Sequence, residues 1–208
     1  METAMIITAF TTLLVVIDPI GLMPVFLALT QGATPAARRR IAIHACFTAA
    51  LILLGFAMLG EELLGFIGIS MPAFRIAGGV LLFLTALDML FERRQKRRKS
   101  QTEESEEEAS DDPSIFPLAI PLIAGPGAIA SIILLTGQTS SPLGLASVLG
   151  VMLAVIGLVF AFFMAAGYLE KLLGKTGITV ATRLLGMLLA ALSVQFILDG
   201  LASFGFVN

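Results

Sequence analysis

The feature that most constrains this chain is a proline-centred break inside an apolar run, and it occurs twice. Asp18-Pro19-Ile20-Gly21-Leu22-Met23-Pro24 interrupts the first such run, and Gly125-Pro126-Gly127-Ala128 interrupts a later one. Both runs are long enough to cross a bilayer core of about 30 Å. Proline removes a backbone donor, and hydrocarbon supplies no water to replace the lost bond. Such a break persists where the freed groups line a cavity or meet protein partners, as in the discontinuous helices of transporters. In both places the residue before proline suits a helix N-cap and proline suits the first helical position. The pattern therefore predicts one half-helix starting at Pro19 and another at Pro126. The two starts differ chemically. Asp18 can cap its half-helix with a carboxylate, whereas Gly125 has no side chain and leaves the amides open.

With 57% hydrophobic and only 13% charged residues, the chain is not an ordinary soluble domain. Apolar stretches of roughly 20 residues read as spanning helices. They fall near residues 4–29, 41–60, 71–90, 115–136, 145–168 and 180–204, which predicts an all-α membrane protein of six transmembrane helices. The start, Met1-Glu2-Thr3, lacks the basic stretch of a cleavable signal, so the first run is expected to remain as a membrane helix. The single cysteine, Cys46, excludes an intrachain disulfide and has no companion for a thiolate metal site. There is no Gly-rich phosphate loop after a strand, no His or Cys cluster, and no basic stripe. Neither a soluble enzyme, a bound cofactor nor a nucleic-acid partner is expected.

Residues 92–114 divide the six spans three and three. This segment begins basic (Arg93, Arg94, Lys96, Arg97, Arg98, Lys99) and ends acidic (Glu103 through Asp112), the pattern of a solvated loop. Arg38, Arg39 and Arg40 lie between spans one and two, and Lys171 and Lys175 between five and six. The termini and the remaining two loops carry no lysine or arginine. By the positive-inside rule the charged loop is expected in the cytoplasm and both termini outside.

The halves also resemble each other. The ten residues from Glu61 to Ser70 align without gaps to those from Glu170 to Thr179. Arg75-Ile76-Ala77-Gly78 matches Arg183-Leu184-Leu185-Gly186, and Asp18-Pro19 matches Gly125-Pro126 at nearly the same offset. Three spans is an odd number, so the second copy must run inverted. Where the copies differ, Lys171 replaces Glu62 and Lys175 replaces Phe66, the change that moves that loop to the cytoplasmic side. The expectation is a 3+3 inverted repeat with broken helices one and four. Residues 1–91 form the first repeat, 92–114 the charged loop and 115–208 the second repeat.

Asp18-Pro-Ile-Gly-x-x-Pro-x-Phe26, Pro121-Leu-Ile-Ala-Gly-Pro-Gly-Ala-Ile129 and Val194-Gln-Phe-Ile-Leu-Asp-Gly200 together resemble the MarC family of bacterial inner-membrane proteins. The resemblance covers nearly the whole chain outside the charged loop, whose acidic half is longer than the family pattern. It implies a multi-pass protein of the bacterial inner membrane. Some relatives are described as transporters of small neutral amino acids such as glycine and alanine, and the wider group is similar to LysE-type exporters.

Asp18 is the leading functional residue. It lies about 21 Å along the first span at 1.5 Å per residue, close to mid-membrane. An ionisable group there costs several kcal/mol unless paired or hydrated. It reads either as a cation site, for a substrate ammonium, a proton or Na⁺, or as a cap that satisfies its own half-helix. Gly125 and Gly127 flank Pro126 at the other break, where a helix N-terminus favours anions. Asp18, Pro19, Gly21, Gly125, Pro126 and Gly127 are thus the expected substrate-binding set, with an amino-acid zwitterion bridging the breaks. Tight helix packing is the alternative role for the glycines.

Arg75 and Arg183 occupy matching repeat positions. If spans three and six lie side by side, Arg75 can pair with Asp199 near one face and Arg183 with Asp88 near the other, as a pair of gates; snorkelling to the headgroups also explains both arginines. His44 reads as an ordinary helix residue, and Thr8, Thr11, Thr12, Ser131, Ser193 and Gln195 as a polar path or as interhelical hydrogen bonds.

The functional expectation is a secondary transporter of small neutral amino acids, coupled to H⁺ or Na⁺. The alternative is a membrane scaffold or signalling protein acting through the charged loop. An intramembrane enzyme lacks a nucleophile–base pair or metal triad. In a Cys46→Ser background, a cysteine at Ser140 or at the C-terminus should label with an impermeant maleimide from outside, and one at Thr102 should not. The opposite labelling pattern overturns the orientation.

Overall fold

The computed structural model describes residues 2–93, 113–139 and 141–204, so most of the charged loop (94–112) and the final four residues lie outside the described part. The first apolar run is built as two helices, α1 (Glu2–Ile17) and α2 (Pro19–Leu29), separated by Asp18 alone. Asp18 adopts φ 58°, ψ 68°, a left-handed conformation that aspartate tolerates better than most residues. The ladder closes around it: Asp18 N donates to Leu14 O at 2.9 Å, and Leu22 N donates to Asp18 O at 3.1 Å.

Helix α3 (Pro35–Ile67) starts on Thr34, whose hydroxyl accepts from Ala37 N at 3.2 Å. It ends at Gly68, where φ is 83° and Ile69 N reaches back to Leu64 O at 2.9 Å. That six-to-one closure is the glycine-terminated ending expected where the chain must turn sharply. Helix α4 (Met71–Leu90) follows after Ser70, whose hydroxyl accepts from Ala73 N. The runs 41–60 and 71–90 are therefore both helical. The first extends well beyond its apolar limits and takes Arg38, Arg39 and Arg40 into its opening turns.

The fourth run departs from expectation. Instead of a regular half-helix, Ser114–Ile123 forms a wide, irregular coil whose Ala124 N bonds to Ala119 O at 2.8 Å, five residues back. Phe116 and Ile120 are extended within it, at φ −123° and −126°. Pro117 and Pro121 each remove a donor and disfavour helical backbone in the residue before them, which accounts for the two extended positions. Helix α5 (Pro126–Thr136) leaves this coil at an angle of 55°.

The last two runs form one element, α6 (Pro142–Ser203), of 62 residues. A straight helix of that length would measure about 93 Å, roughly three bilayer cores. It breaks at Gly174, where φ 62° and ψ 175° lie in a region open essentially to glycine alone. The arms 142–173 and 175–203 are each long enough to cross. In the first half the equivalent turn falls at Gly68, aligned with Gly177, so the two turns use different glycines. Among the described residues, four helices have the length and apolarity to cross a membrane, or five when the bent pair Ser114–Ile123 and Pro126–Thr136 is one span. Counting the arms of α6 separately gives six.

Many large apolar side chains point outward, among them Phe47, Leu51, Met58, Val80 and Leu184. A surface of this kind suits lipid rather than water. Inside, close approach depends on glycine. A methyl group at Gly79 would stand 2.8 Å from Ser193 O, one at Gly186 3.3 Å from Ala86 O, and one at Gly200 3.0 Å from Pro72 O. The pairings 79 with 193, 86 with 186 and 72 with 200 descend on one helix as they rise on the other. Helix α4 and residues 175–203 are thus antiparallel neighbours in close backbone approach, with Ile197, Met89 and Ile76 seated against the glycines. Helix α5 is likewise antiparallel to α4, since Gly127 faces Leu82 and Thr85, Gly78 faces Leu134, and Gly137 faces Met71.

Gly79→Ala should lower the unfolding midpoint, costing about 1–3 kcal/mol by overpacking. Gly55→Ala, where nothing lies within 4 Å, should be neutral or stabilising by up to about 1 kcal/mol. Thermal unfolding in detergent distinguishes them, and equal midpoints would remove the seam's special status.

Candidate functional site at the paired helix breaks

Asp18 is fully buried, and its Oδ1 accepts from Gly21 N at 3.0 Å. Pro19 opens α2 and is buried with Gly21. The carboxylate therefore caps its own half-helix, satisfying one of the amides that a helix start leaves open. At the second break Gly125 is extended, with φ −82° and ψ 171°, and no side chain caps α5. Pro126 is exposed, while Gly125 and Gly127 are half-buried. One break is sealed by a carboxylate; the other is open.

The two breaks meet. A methyl group at Gly127 would stand 3.2 Å from Val16 Cγ1 and 3.8 Å from Thr85 Oγ1. Val16 is two residues before Asp18, so the open end of α5 lies against the last turn of α1. Thr85 donates its hydroxyl to Leu81 O at 2.9 Å and adds a half-buried polar group beside Gly127. Sequence reasoning passed over Val16 and Thr85, because neither belongs to a motif and only packing brings them to the break. Gly125 has a different constraint: a methyl there would stand 2.4 Å from Pro121 O, so the preceding coil leaves no room for any side chain.

The family described as MarC family integral membrane protein matches residues 3–204, nearly the whole chain and both breaks with it. The chain belongs to the MarC family. Its relatives include the UPF0056 membrane protein YvbG of Bacillus subtilis (strain 168), 38% identical over 202 residues, covering 97% of this chain and 96% of that protein. A UPF0056 membrane protein of Methanocaldococcus jannaschii is 35% identical over 201 residues, covering 97% and 98%. The UPF0056 inner membrane protein YhgN of Escherichia coli (strain K12) is 33% identical over 196 residues, covering 94% and 95%. No solved structure matches the chain.

Arg183 and Arg75 of this MarC chain stand at opposite ends of the α4 seam. Arg183 donates to Glu92 Oε1, with the side chains 49% and 43% exposed. An ion pair so open to solvent contributes at most about 1 kcal/mol. Asp88, the expected partner of Arg183, lies one turn before Glu92 at the same end of α4. At the other end Arg75 is level with Asp199, beside the contact between Ile76 and Gly200. The Asp199 carboxylate accepts from Gln195 Nε2 at 2.7 Å. Arg75 Nε is buried and has no hydrogen-bond partner among the described residues. His44 is exposed on α3.

Gly125→Ala should reduce folded yield and unfolding midpoint sharply, because its methyl meets backbone. Gly127→Ala should stay close to wild type, because its methyl meets a movable Val16 side chain. Size-exclusion profiles and unfolding midpoints of the two variants check this, and a well-folded Gly125→Ala would refute the close approach.

Proposed function

We propose that this MarC chain is a secondary transporter of small neutral amino acids, glycine- or alanine-like, with the substrate held between the two breaks. The observation that carries the reading is the apposition of Val16 and Gly127, which brings a buried carboxylate and an open helix N-terminus to one region of a membrane interior. Opposite charges on one small molecule suit such a pair. The open amides of α5 and its dipole favour the carboxylate, and Asp18 favours the ammonium. A proton or Na⁺ gradient drives the cycle. The basic loops face the cytoplasm and both termini face outward, in keeping with the lysine and arginine distribution.

Two packing relations support an inverted 3+3 repeat around this site. After the first break, α2 stacks Phe26 on Phe163 of α6, with ring centroids 4.2 Å apart and planes 5° from parallel. After the second, α5 sets Ile133 against Gly60 of α3, where a methyl would stand 2.5 Å away. Each half-helix thus packs on the middle helix of the opposite half. The third helices, α4 and residues 175–203, meet each other antiparallel. This exchange of partners is the relation that a two-fold axis in the membrane plane produces.

Purified protein in liposomes should show counterflow of radiolabelled glycine and alanine, changed by a pH or Na⁺ gradient. Asp18→Asn is the informative variant. Asparagine caps as well as aspartate and also tolerates left-handed backbone, so the fold should persist with only the charge removed. Uptake should fall at least tenfold while the unfolding midpoint stays within a few degrees. An asparagine variant transporting at the wild-type rate leaves Asp18 as a cap and sinks its role at the site.

A further inference from the structure

We propose that Thr12 and Ser131 form a site for a dehydrated Na⁺ ion, one helical turn from the Val16–Gly127 contact. Both side chains are fully buried, and neither hydroxyl has a hydrogen-bond partner among the described residues. The hydroxyls of Thr30, Thr85, Thr136, Ser147, Ser193 and Ser203 all turn back to a carbonyl three or four residues earlier on their own helix. That bond is open to any helical serine or threonine, so two buried hydroxyls that leave it unmade keep their oxygens for something else. A hydroxyl isolated in an apolar interior is costly unless a ligand compensates it. Thr182, on residues 175–203, shares this condition among the described residues.

Thr12 and Ser131 are placed together by register. Thr12 precedes Val16 by four residues and Ser131 follows Gly127 by four, so each lies on the face that makes the Val16–Gly127 contact. The turns at 30–34 and 68–70 reverse the chain twice, which makes α4 parallel to α1. Because α5 is antiparallel to α4, it is antiparallel to α1. Moving one turn back along α1 from Val16 and one turn forward along α5 from Gly127 then reaches the same level.

The chemistry selects a small monovalent cation. Neutral hydroxyl oxygens are hard donors suited to alkali and alkaline-earth ions. Helix carbonyls keep a second lone pair after accepting one bond, so the adjoining turns of α1 and α5 offer further oxygens. No lysine or arginine stands on α1, α2 or α5, and the buried Asp18 lies about 9 Å further along the first span. A donor set of neutral oxygens favours a cation over an anion and a monovalent over a divalent one. Hydroxyls do not titrate in the working range, so the ligand is a metal ion rather than a proton. The half-buried Thr8, one turn before Thr12 on the same face, extends the polar stripe toward the start of α1.

The site rests on the transport reading as the binding place of its coupling ion, but its occupancy is measurable without transport. Cys46, the lone cysteine and buried, reports unfolding of the full chain in detergent through a fluorogenic maleimide. NaCl should raise the midpoint saturably by several degrees over equal concentrations of KCl or choline chloride. Thr12→Ala and Ser131→Ala should each abolish that increment, and Thr12→Ser should keep it. Radiolabelled ²²Na⁺ should bind the wild-type protein, displaced by unlabelled Na⁺ and not by K⁺. Absence of ²²Na⁺ binding to wild type overturns the site whatever the variants do, and so does an Na⁺ increment that survives both alanine changes. Glycine counterflow indifferent to Na⁺ in a protein that fails to bind ²²Na⁺ would sink the ion site and leave transport intact. Saturable Na⁺ binding in a protein that moves no amino acid would do the reverse.

Discussion

Inside hydrocarbon a backbone amide or carbonyl has no water to fall back on, and this requirement governs how both spans can be interrupted. At Asp18 a single residue leaves the helical conformation. Its carboxylate takes the Gly21 amide, and the ladder resumes through Leu22 within one turn. At the second break the interruption spreads over the ten residues Ser114–Ile123, where two internal prolines prevent a regular ladder and wide five-residue closures replace it. The first solution is compact and charged. The second is extended and neutral, and it ends in a helix start that no side chain covers. That difference gives the region between the breaks two chemically distinct walls.

Holding those walls together requires backbones to approach without side chains intervening. Gly127 allows α5 to lie against Val16, while Gly78 and Gly137 let the same helix settle along α4. Lipid chains are as apolar as leucine, so burial of hydrocarbon drives little of this packing; close van der Waals contact does more. The seam between α4 and residues 175–203 follows the same logic through Gly79, Gly186 and Gly200. Charged groups decorate the ends of that seam, where Arg183 and Glu92 meet in a solvent-exposed pair.

Much of this was legible in the sequence for stated reasons. Apolar length gave the six runs, because only helices of about 20 residues satisfy their own backbone across a bilayer. Proline after a capping residue located the half-helix starts at Pro19 and Pro126. The irregular coil before Gly125 follows from Pro117 and Pro121, whose effect on the residues before them hydropathy does not register. The apolar limits at 41, 60, 168 and 180 fall inside longer helices, because hydropathy marks where a helix leaves lipid and not where it stops. Arg183 meets Glu92, one turn beyond the Asp88 that helix lengths suggest. Register along the seam is set by which glycines meet, and an estimate from helix lengths alone cannot resolve four residues. The unpartnered hydroxyls of Thr12 and Ser131 were visible only as members of a polar set, since rotamers are not written in residue order.

Gly174 joins two membrane-length arms with no intervening loop, and the angle between them rests on two torsions of one residue without a Cβ. The arm 175–203 is roughly 40 Å long at 1.5 Å per residue. A rotation of about 10° at its root displaces its far end by about 7 Å, more than a helical turn. The seam holds that arm against α4 with Ile197, Met89 and Ile76 seated on Gly79, Gly186 and Gly200. By geometry alone, a small change in the torsions of Gly174 is enlarged along the whole length of the arm, so the packing of that arm on α4 is what fixes its angle.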